Sequence, residues 1–194
     1  MASLPTPLSV IHVAWIVWLI SWFAAAAWSD RTVRRPAVRR ELLYRGFTIA
    51  GALLLFGFNP DGDGADTALW PVPSMIGWLL AGLVVCGFIF MWWARVHLGQ
   101  LWSSSVTRKE HHHVVDTGPY AIVRHPIYTG LLLAIISTLL ARGTVLTLMG
   151  SAIIAVGIYI KARVEEEFLS QQLGESYAAY ARRVPMLLPS RRSG

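Results

Sequence analysis

The chain has 194 residues, 55% of them hydrophobic and only 14% charged, with a mean hydropathy of +0.50. That balance excludes an ordinary soluble domain and indicates a membrane protein. The net charge of +6 is held in clusters between apolar runs, where it orients a chain in a bilayer rather than binding nucleic acid. The single cysteine, Cys86, excludes an intrachain disulfide and a cysteine zinc site.

Residues 8–28 are an apolar run containing Trp15, Trp18, Trp22 and Trp28, enough helix to cross about 30 Å of hydrocarbon. No positive residue precedes it, so a retained span is expected rather than a cleaved signal. Tryptophans in such a run are expected at the headgroup boundary. Residues 30–45 carry Arg31, Arg34, Arg35, Arg39, Arg40 and Arg45, which assigns them to the cytoplasm and the N-terminus to the outside. Residues 46–58, extended by 42–44, form the second expected span, closed by Asn59, Pro60 and an acidic turn with Asp61, Asp63 and Asp66. The third covers residues 75–93 and runs on toward Arg95 and His97.

From 98 to 126 the hydrophobicity falls, and Arg108, Lys109, Glu110 and three consecutive histidines, His111, His112 and His113, crowd together. Loops of this length usually carry function or disorder. Residues 127–140 and 144–160 are apolar again and meet at Arg142 and Gly143, as a helical hairpin would. The expectation is an all-α, polytopic integral membrane protein of five spans, with three helices in 1–97 and a catalytic part in 98–194. The basic residues agree: sixteen of the seventeen fall on the inner side of this topology and only Arg142 outside. Fifteen arginines against two lysines point to a GC-rich bacterial genome, hence a bacterial or archaeal inner membrane. Beyond Ile160 a helix over 161–181 is expected, with Leu169, Leu173 and Tyr177 as an i, i+4 row broken by Gly174. Such a stripe suits either the membrane surface or the polar loop, and Val184-Pro185 and Leu188-Pro189 end the helix.

The unusual residue choices concentrate at 118–130, Gly-Pro-Tyr-Ala-Ile-Val-Arg-His-Pro-Ile-Tyr-Thr-Gly, directly before an apolar run. Pro126 turns His125 away from helical geometry and leaves backbone groups of the preceding turn open to a ligand. The plain alternative makes Arg124 a boundary anchor and Pro126 the first residue of the fourth span. Consecutive histidines cannot all face one ion and no second ligand cluster exists, so no metal site is expected. Arg163, Glu165, Glu166 and Glu167 stand where the fifth span leaves the bilayer, at the depth of Arg124 and His125. They form either a solvated charged face or one wall of a site.

Gly118-Pro-Tyr, then Val-Arg-His-Pro-Ile-Tyr-Thr-Gly130, a hairpin, Arg163-Val-Glu-Glu-Glu167, Leu173-Gly-Glu-Ser-Tyr177, Tyr180 and Val184-Pro185 follow one another in an order that resembles the isoprenylcysteine carboxyl methyltransferase family and its phospholipid-methyltransferase-like relatives. The resemblance covers roughly residues 98–189. It implies an integral membrane enzyme that consumes S-adenosylmethionine and releases S-adenosylhomocysteine, taking a lipophilic substrate from the bilayer among membrane lipids. By the same resemblance His112, His113, Val114, Val115, Tyr120, His125, Pro126, Ile127, Tyr128 and Glu167 contact the cofactor, and Arg163 contacts the substrate carboxylate. The leading activity is methylation of the carboxylate of an isoprenylcysteine or similar thioether acid. A lipid-amine N-methyltransferase or small-thiol S-methyltransferase on the same scaffold would need a base such as His125 or Glu166. A non-catalytic membrane scaffold is the remaining class. The sequence does not fix an oligomeric state.

Overall fold

A computed structural model describes residues 4–25, 38–57, 68–99 and 114–189. Much of the first basic loop, the acidic turn, residues 100–113 with the three histidines, and the tail from 190 lie outside the described residues. Five α-helices make up the described fold: α1 (Pro7–Ala24), α2 (Val38–Leu55), α3 (Ser74–Leu98), α4 (Pro126–Arg142) and α5 (Val145–Arg183). A short 3-10 turn, Gly118–Ala121, precedes α4.

Local chemistry sets the helix ends. Thr6 and Ser9 cap α1 reciprocally, the Ser9 amide donating to Thr6 Oγ1 at 3.2 Å and the Thr6 amide to Ser9 Oγ at 2.9 Å, with Pro7 in the first turn where it forfeits no bond. Pro126 opens α4, Gly143 ends it, and Thr144 caps α5 by accepting from the Thr147 amide at 3.2 Å. The expected hairpin is therefore present, with a two-residue connection. At its tip the Trp70 indole donates to the Leu140 carbonyl at 3.1 Å and the Leu69 amide to that of Gly143 at 2.6 Å.

Among the described residues, α1, α3 and α5 are long and apolar enough to cross a membrane. The chain is an integral membrane protein. The fourth helix is apolar but only 17 residues long, and the second begins with Arg40 and Glu41 among its first residues.

Helices from the two sequence halves interleave: α2 packs along α5 and α3 along α4, with a shorter contact between α4 and α5. Glycines permit both long contacts. A methyl group on Gly87 of α3 would lie 2.6 Å from the Gly130 carbonyl oxygen of α4, and one on Gly150 of α5 would lie 2.6 Å from that of Gly51 on α2. Helices this close gain dispersion over a long seam, which matters most where lipid removes the hydrophobic drive for association.

The tryptophans of α1 depart from the boundary role expected for them. Trp15 is 5% exposed, donates to Thr138 Oγ1 of α4 at 3.0 Å and meets Phe56 and Phe88 edge-on at 5.2 and 4.9 Å. Its indole satisfies its own donor inside the bundle, so burying it incurs no unpaired N–H.

Candidate active site

The polar residues gather at one end of the bundle, where α3 finishes, α4 starts and the apolar part of α5 gives out at Ile160. The chain reaches α4 through a turn pinned to α3. Gly118 has φ +56, and a methyl group on it would strike the His97 ring at 2.8 Å. His97 Nε2 lies 2.9 Å from Thr117 Oγ1, and its ring stacks on Tyr120 at 6.3 Å between centroids. The Tyr120 carbonyl accepts from the Tyr180 hydroxyl at 2.8 Å, which ties the turn to the far end of α5.

Arg124 and His125 are both buried. The guanidinium of Arg124 grips Glu166 with two parallel bonds, Nε to Oε1 at 2.6 Å and Nη2 to Oε2 at 2.7 Å, and donates through Nη1 to the carbonyls of Ala181 and Val184 at 3.0 and 2.5 Å. His125 stands between two carboxylates, its Nδ1 3.4 Å from Glu165 Oε2 and its Nε2 3.1 Å from Glu166 Oε1. A carboxylate facing each ring nitrogen favours the protonated form of the ring. Glu165 also accepts from the Tyr128 hydroxyl at 2.5 Å, and Glu166 from that of Tyr177 at 3.1 Å.

The electrostatics follow. Burial works against the charged His125, yet hydrogen bonds to Glu165 and Glu166 outweigh it and raise the imidazole above its ordinary 6.5. Burial likewise opposes the Glu166 carboxylate, but His125 and Arg124 bonded to it bring it down to about 2. Glu165 is lowered too, with burial opposed chiefly by its bond to His125.

A kink in α5 makes this cluster possible. Glu166 and Tyr177 are eleven residues apart, about 16 Å along a straight helix, too far for their side chains to bond. At Gly174 the backbone takes φ +54 and ψ −130, and the last turns fold back onto the first. Tyr177, Tyr180 and Val184 then pack with Val114, Leu169, Leu173 and Ala181 as a second apolar cluster, the stripe expected of the terminal helix. Past Val184 the chain crosses the Arg-His-Pro segment as a strap. The Arg124 amide donates to the Pro185 carbonyl at 2.8 Å, the His125 amide to that of Met186 at 3.1 Å, and Thr129 Oγ1 to that of Leu187 at 2.6 Å. Amides that Pro126 was expected to leave for a ligand thus serve the strap.

Tyr120, His125 and Pro126 come together here, with Ile127 and Tyr128 on the first turn of α4 and Val114 and Val115 partly buried ahead of the turn. The His125 and Tyr128 rings stack at 5.4 Å. Arg163 and Glu167 lie on the outer side of α5 instead: Arg163 is exposed, and Glu167 pairs with Arg40 of α2 at 2.6 Å on the surface. His112 and His113 fall outside the described residues. From the acidic triplet the resemblance selects Glu167, whereas the structure turns Glu165 and Glu166 inward. Helix phase carried part of the signal, because Glu165 and Glu166 follow the buried Ala162 at spacings of three and four while Glu167 does not.

Residues 80–171 match the model of the isoprenylcysteine carboxyl methyltransferase (ICMT) family. Protein-S-isoprenylcysteine O-methyltransferase B of Arabidopsis thaliana is 35% identical over 86 residues, 43% of this chain and 43% of that protein. Protein-S-isoprenylcysteine O-methyltransferase of Schizosaccharomyces pombe is 34% identical over 99 residues, 50% of this chain and 42% of its own length. Methanethiol S-methyltransferase of Pseudomonas deceptionensis is 41% identical over 73 residues, 38% of this chain and 27% of that protein. The chain thus spans less than half the length of these relatives. The ICMT stretch holds Arg124, His125, Glu165 and Glu166, while Tyr177, Tyr180 and the strap come after it.

Proposed function

We propose that the protein is an S-adenosylmethionine-dependent membrane methyltransferase whose acceptor is the carboxylate of an isoprenylcysteine or a similar lipophilic thioether acid. The observation that carries this reading is the buried His125, set between two carboxylates at the edge of the apolar bundle within the ICMT stretch. An amine or thiol acceptor must shed a proton to a base. The two carboxylates hold His125 toward its protonated form, and Glu166 at about 2 is a poor proton acceptor. A carboxylate acceptor needs no base.

The described residues suit the cofactor chemically. Tyr120 beside His97, and His125 upon Tyr128, supply ring surface for a purine. Val114, Val115, Tyr120, His125, Pro126, Ile127, Tyr128 and Glu167 would hold it, with His112 and His113 from the preceding loop. When bound, S-adenosylmethionine supplies an electrophilic methyl on a sulfonium whose charge vanishes on transfer. The part left to this chain is alignment and exclusion of water. The Arg124–Glu166 pair and the strap fix the Arg-His-Pro segment, and the apolar ends of α4 and α5 keep the boundary dry. Arg163, exposed and carrying no hydrogen bond or ion pair among the described residues, orients the acceptor carboxylate by its planar fork at transfer.

All five helices are read as spans, with the site end and C-terminus in the cytoplasm and the N-terminus outside, in a bacterial or archaeal inner membrane. The basic residues gathered at one end support that orientation. On this reading residues 98–194 carry the chemistry, residues 1–97 the scaffold, and the acceptor arrives from the bilayer. The test is to incubate purified protein with methyl-labelled S-adenosylmethionine, membranes and N-acetyl-S-farnesylcysteine. A base-labile methyl product is expected. A base-stable product would transfer the assignment to an amine or thiol acceptor, and absence of cofactor binding would leave a scaffold.

A further inference from the structure

Three tyrosines at the polar end of the bundle place their hydroxyls on an acceptor: Tyr128 on Glu165 at 2.5 Å, Tyr177 on Glu166 at 3.1 Å and Tyr180 on the Tyr120 carbonyl at 2.8 Å. Tyr44 of α2 does not. It is 2% exposed, and its hydroxyl is shut off from solvent with no hydrogen-bond partner among the described residues. A phenol in that state has given up its bonds to water without replacing them, and a buried polar group left so calls for a partner.

The rest of Tyr44 is held in place. Its carbonyl accepts from Thr48 Oγ1 at 2.9 Å, and α2 runs so close to α5 that a methyl group on Gly157 would lie 3.3 Å from that carbonyl oxygen. Lys161 Nζ of α5 lies 5.5 Å from the Tyr44 ring centroid and 5.4 Å from that of Tyr128 on α4, so Tyr44 stands where three helices converge. Arg45, the next residue along, is engaged with Glu41 at 2.6 Å. The Lys161 stem is a flexible four-carbon chain, so a head group can reach the hydroxyl by displacing a side chain and no backbone.

Depth decides which ligand this is. Arg40 and Glu167 pair at the surface of the polar end, and Tyr44 lies one turn, about 6 Å, further into the bundle than Arg40. Lys161 lies about 9 Å further in than Glu167, next to the end of the apolar run of α5 at Ile160. A water-borne cofactor meets the acidic triplet before this level, whereas an acceptor with its tail in the apolar part brings its head group to it.

We propose that the Tyr44 hydroxyl donates a hydrogen bond to a carbonyl or carboxylate oxygen in the head group of the lipophilic acceptor, which makes α2 part of the acceptor site. This rests on the methyltransferase reading and carries recognition beyond the ICMT stretch, residues 80–171, into the first part of the chain. A neutral phenol binds an oxygen lone pair whether or not the oxygen is charged, so the contact sets where the head group halts, and Arg163 acts on the carboxylate at transfer.

The experiment measures binding to the full chain in detergent, as wild type and Tyr44→Phe, of three ligands: N-acetyl-S-farnesylcysteine, ethyl farnesyl sulfide, which keeps tail and thioether but has no head group, and S-adenosylmethionine. Phenylalanine keeps the ring and removes a hydroxyl that bonds nothing in the protein, so the melting temperature should hold or rise. N-acetyl-S-farnesylcysteine should bind Tyr44→Phe about three- to tenfold more weakly, the range of one net hydrogen bond, while the other two ligands stay within about twofold of wild type. Unchanged affinity for the acid, or no binding of it by wild type, overturns the proposal. So does a lower melting temperature with all three ligands weakened, the mark of a structural hydroxyl, or a loss confined to S-adenosylmethionine. Methyl transfer is read separately: a protein whose hold on the acid depends on Tyr44 yet transfers no methyl sinks the enzyme reading and leaves the contact standing.

Discussion

Glu166 answers for two buried cations, Arg124 through a bidentate pair and His125 through its Nε2. Glu166→Gln removes the charge that both depend on. Breaking a buried pair from one side leaves the other uncompensated, so a loss of about 3 kcal/mol or more is expected in thermal or chemical unfolding in detergent. Glu167→Ala is the contrast: its pair with Arg40 is about half exposed on both sides, so stability should fall by about 1 kcal/mol at most. Its assigned role is cofactor contact, so titration calorimetry should show weaker S-adenosylmethionine binding in the same variant. Unchanged affinity would remove Glu167 from the site. The pH profile carries the same logic. Glu166, brought to about 2 from an ordinary 4.5, contributes its full stability above 4.5 and loses it as pH falls toward 2. His125, raised above 6.5, contributes fully below 6.5 and loses its share as pH climbs through the raised value. A melting-temperature plateau between these limits is expected, with the acid limb reduced in Glu166→Gln; a wild-type melting temperature unchanged from 4.5 down to 2 would contradict the network. The Arg-His-Pro segment was legible in sequence as a polar demand at an apolar boundary. Which glutamates answer it was legible only in part, because three adjacent acids differ only in helix phase.

At the scale of elements, the glycine pair between α3 and α4 invites a direct comparison. Gly87→Ala places a methyl 2.6 Å from a backbone carbonyl oxygen that cannot swing aside, whereas Gly82, on the same helix, has nothing within 4 Å of that position. Overpacking of this kind costs about 1–3 kcal/mol, so Gly87→Ala should lower the melting temperature while Gly82→Ala holds or raises it. Equal responses would show that the seam is looser than the geometry says. The hairpin of α4 and α5 could be read from Arg142-Gly143 and the flanking apolar runs. The kink at Gly174 could be read only as an interruption, since a glycine marks where a helix can bend but not toward which partner. What turns the last helical turns inward is the Tyr177 hydroxyl reaching Glu166, a contact formed only after folding.

The whole molecule interleaves its sequence halves, and that pattern was beyond the reach of local periodicity. Span lengths and basic clusters gave the number of apolar segments, but the pairing of α2 with α5 and of α3 with α4 depends on small residues meeting across distant positions. The tryptophans illustrate the same limit: their number marked a membrane protein, while Trp15 proved to be a bolt to Thr138 inside the bundle. Orientation can be tested globally because Cys86 is the sole cysteine. In a Cys86→Ala background, a cysteine in place of Ser176 should react with a membrane-impermeant maleimide only after cells are opened, and one in place of Leu69 should react in intact cells. The reverse pattern would invert the topology and place the candidate site outside.

The strap also bears on the order in which the protein is made. Arg124 donates to the Val184 carbonyl, sixty positions later, so at about 5–20 residues per second its partner leaves the ribosome roughly 3–12 s behind it. During that interval a nascent arginine waits at the mouth of α4 without the strap's carbonyl. Co-translational insertion of α4 and α5 as a single unit is the economical route, and a chain stopped at residue 183 should enter the membrane yet never bind S-adenosylmethionine.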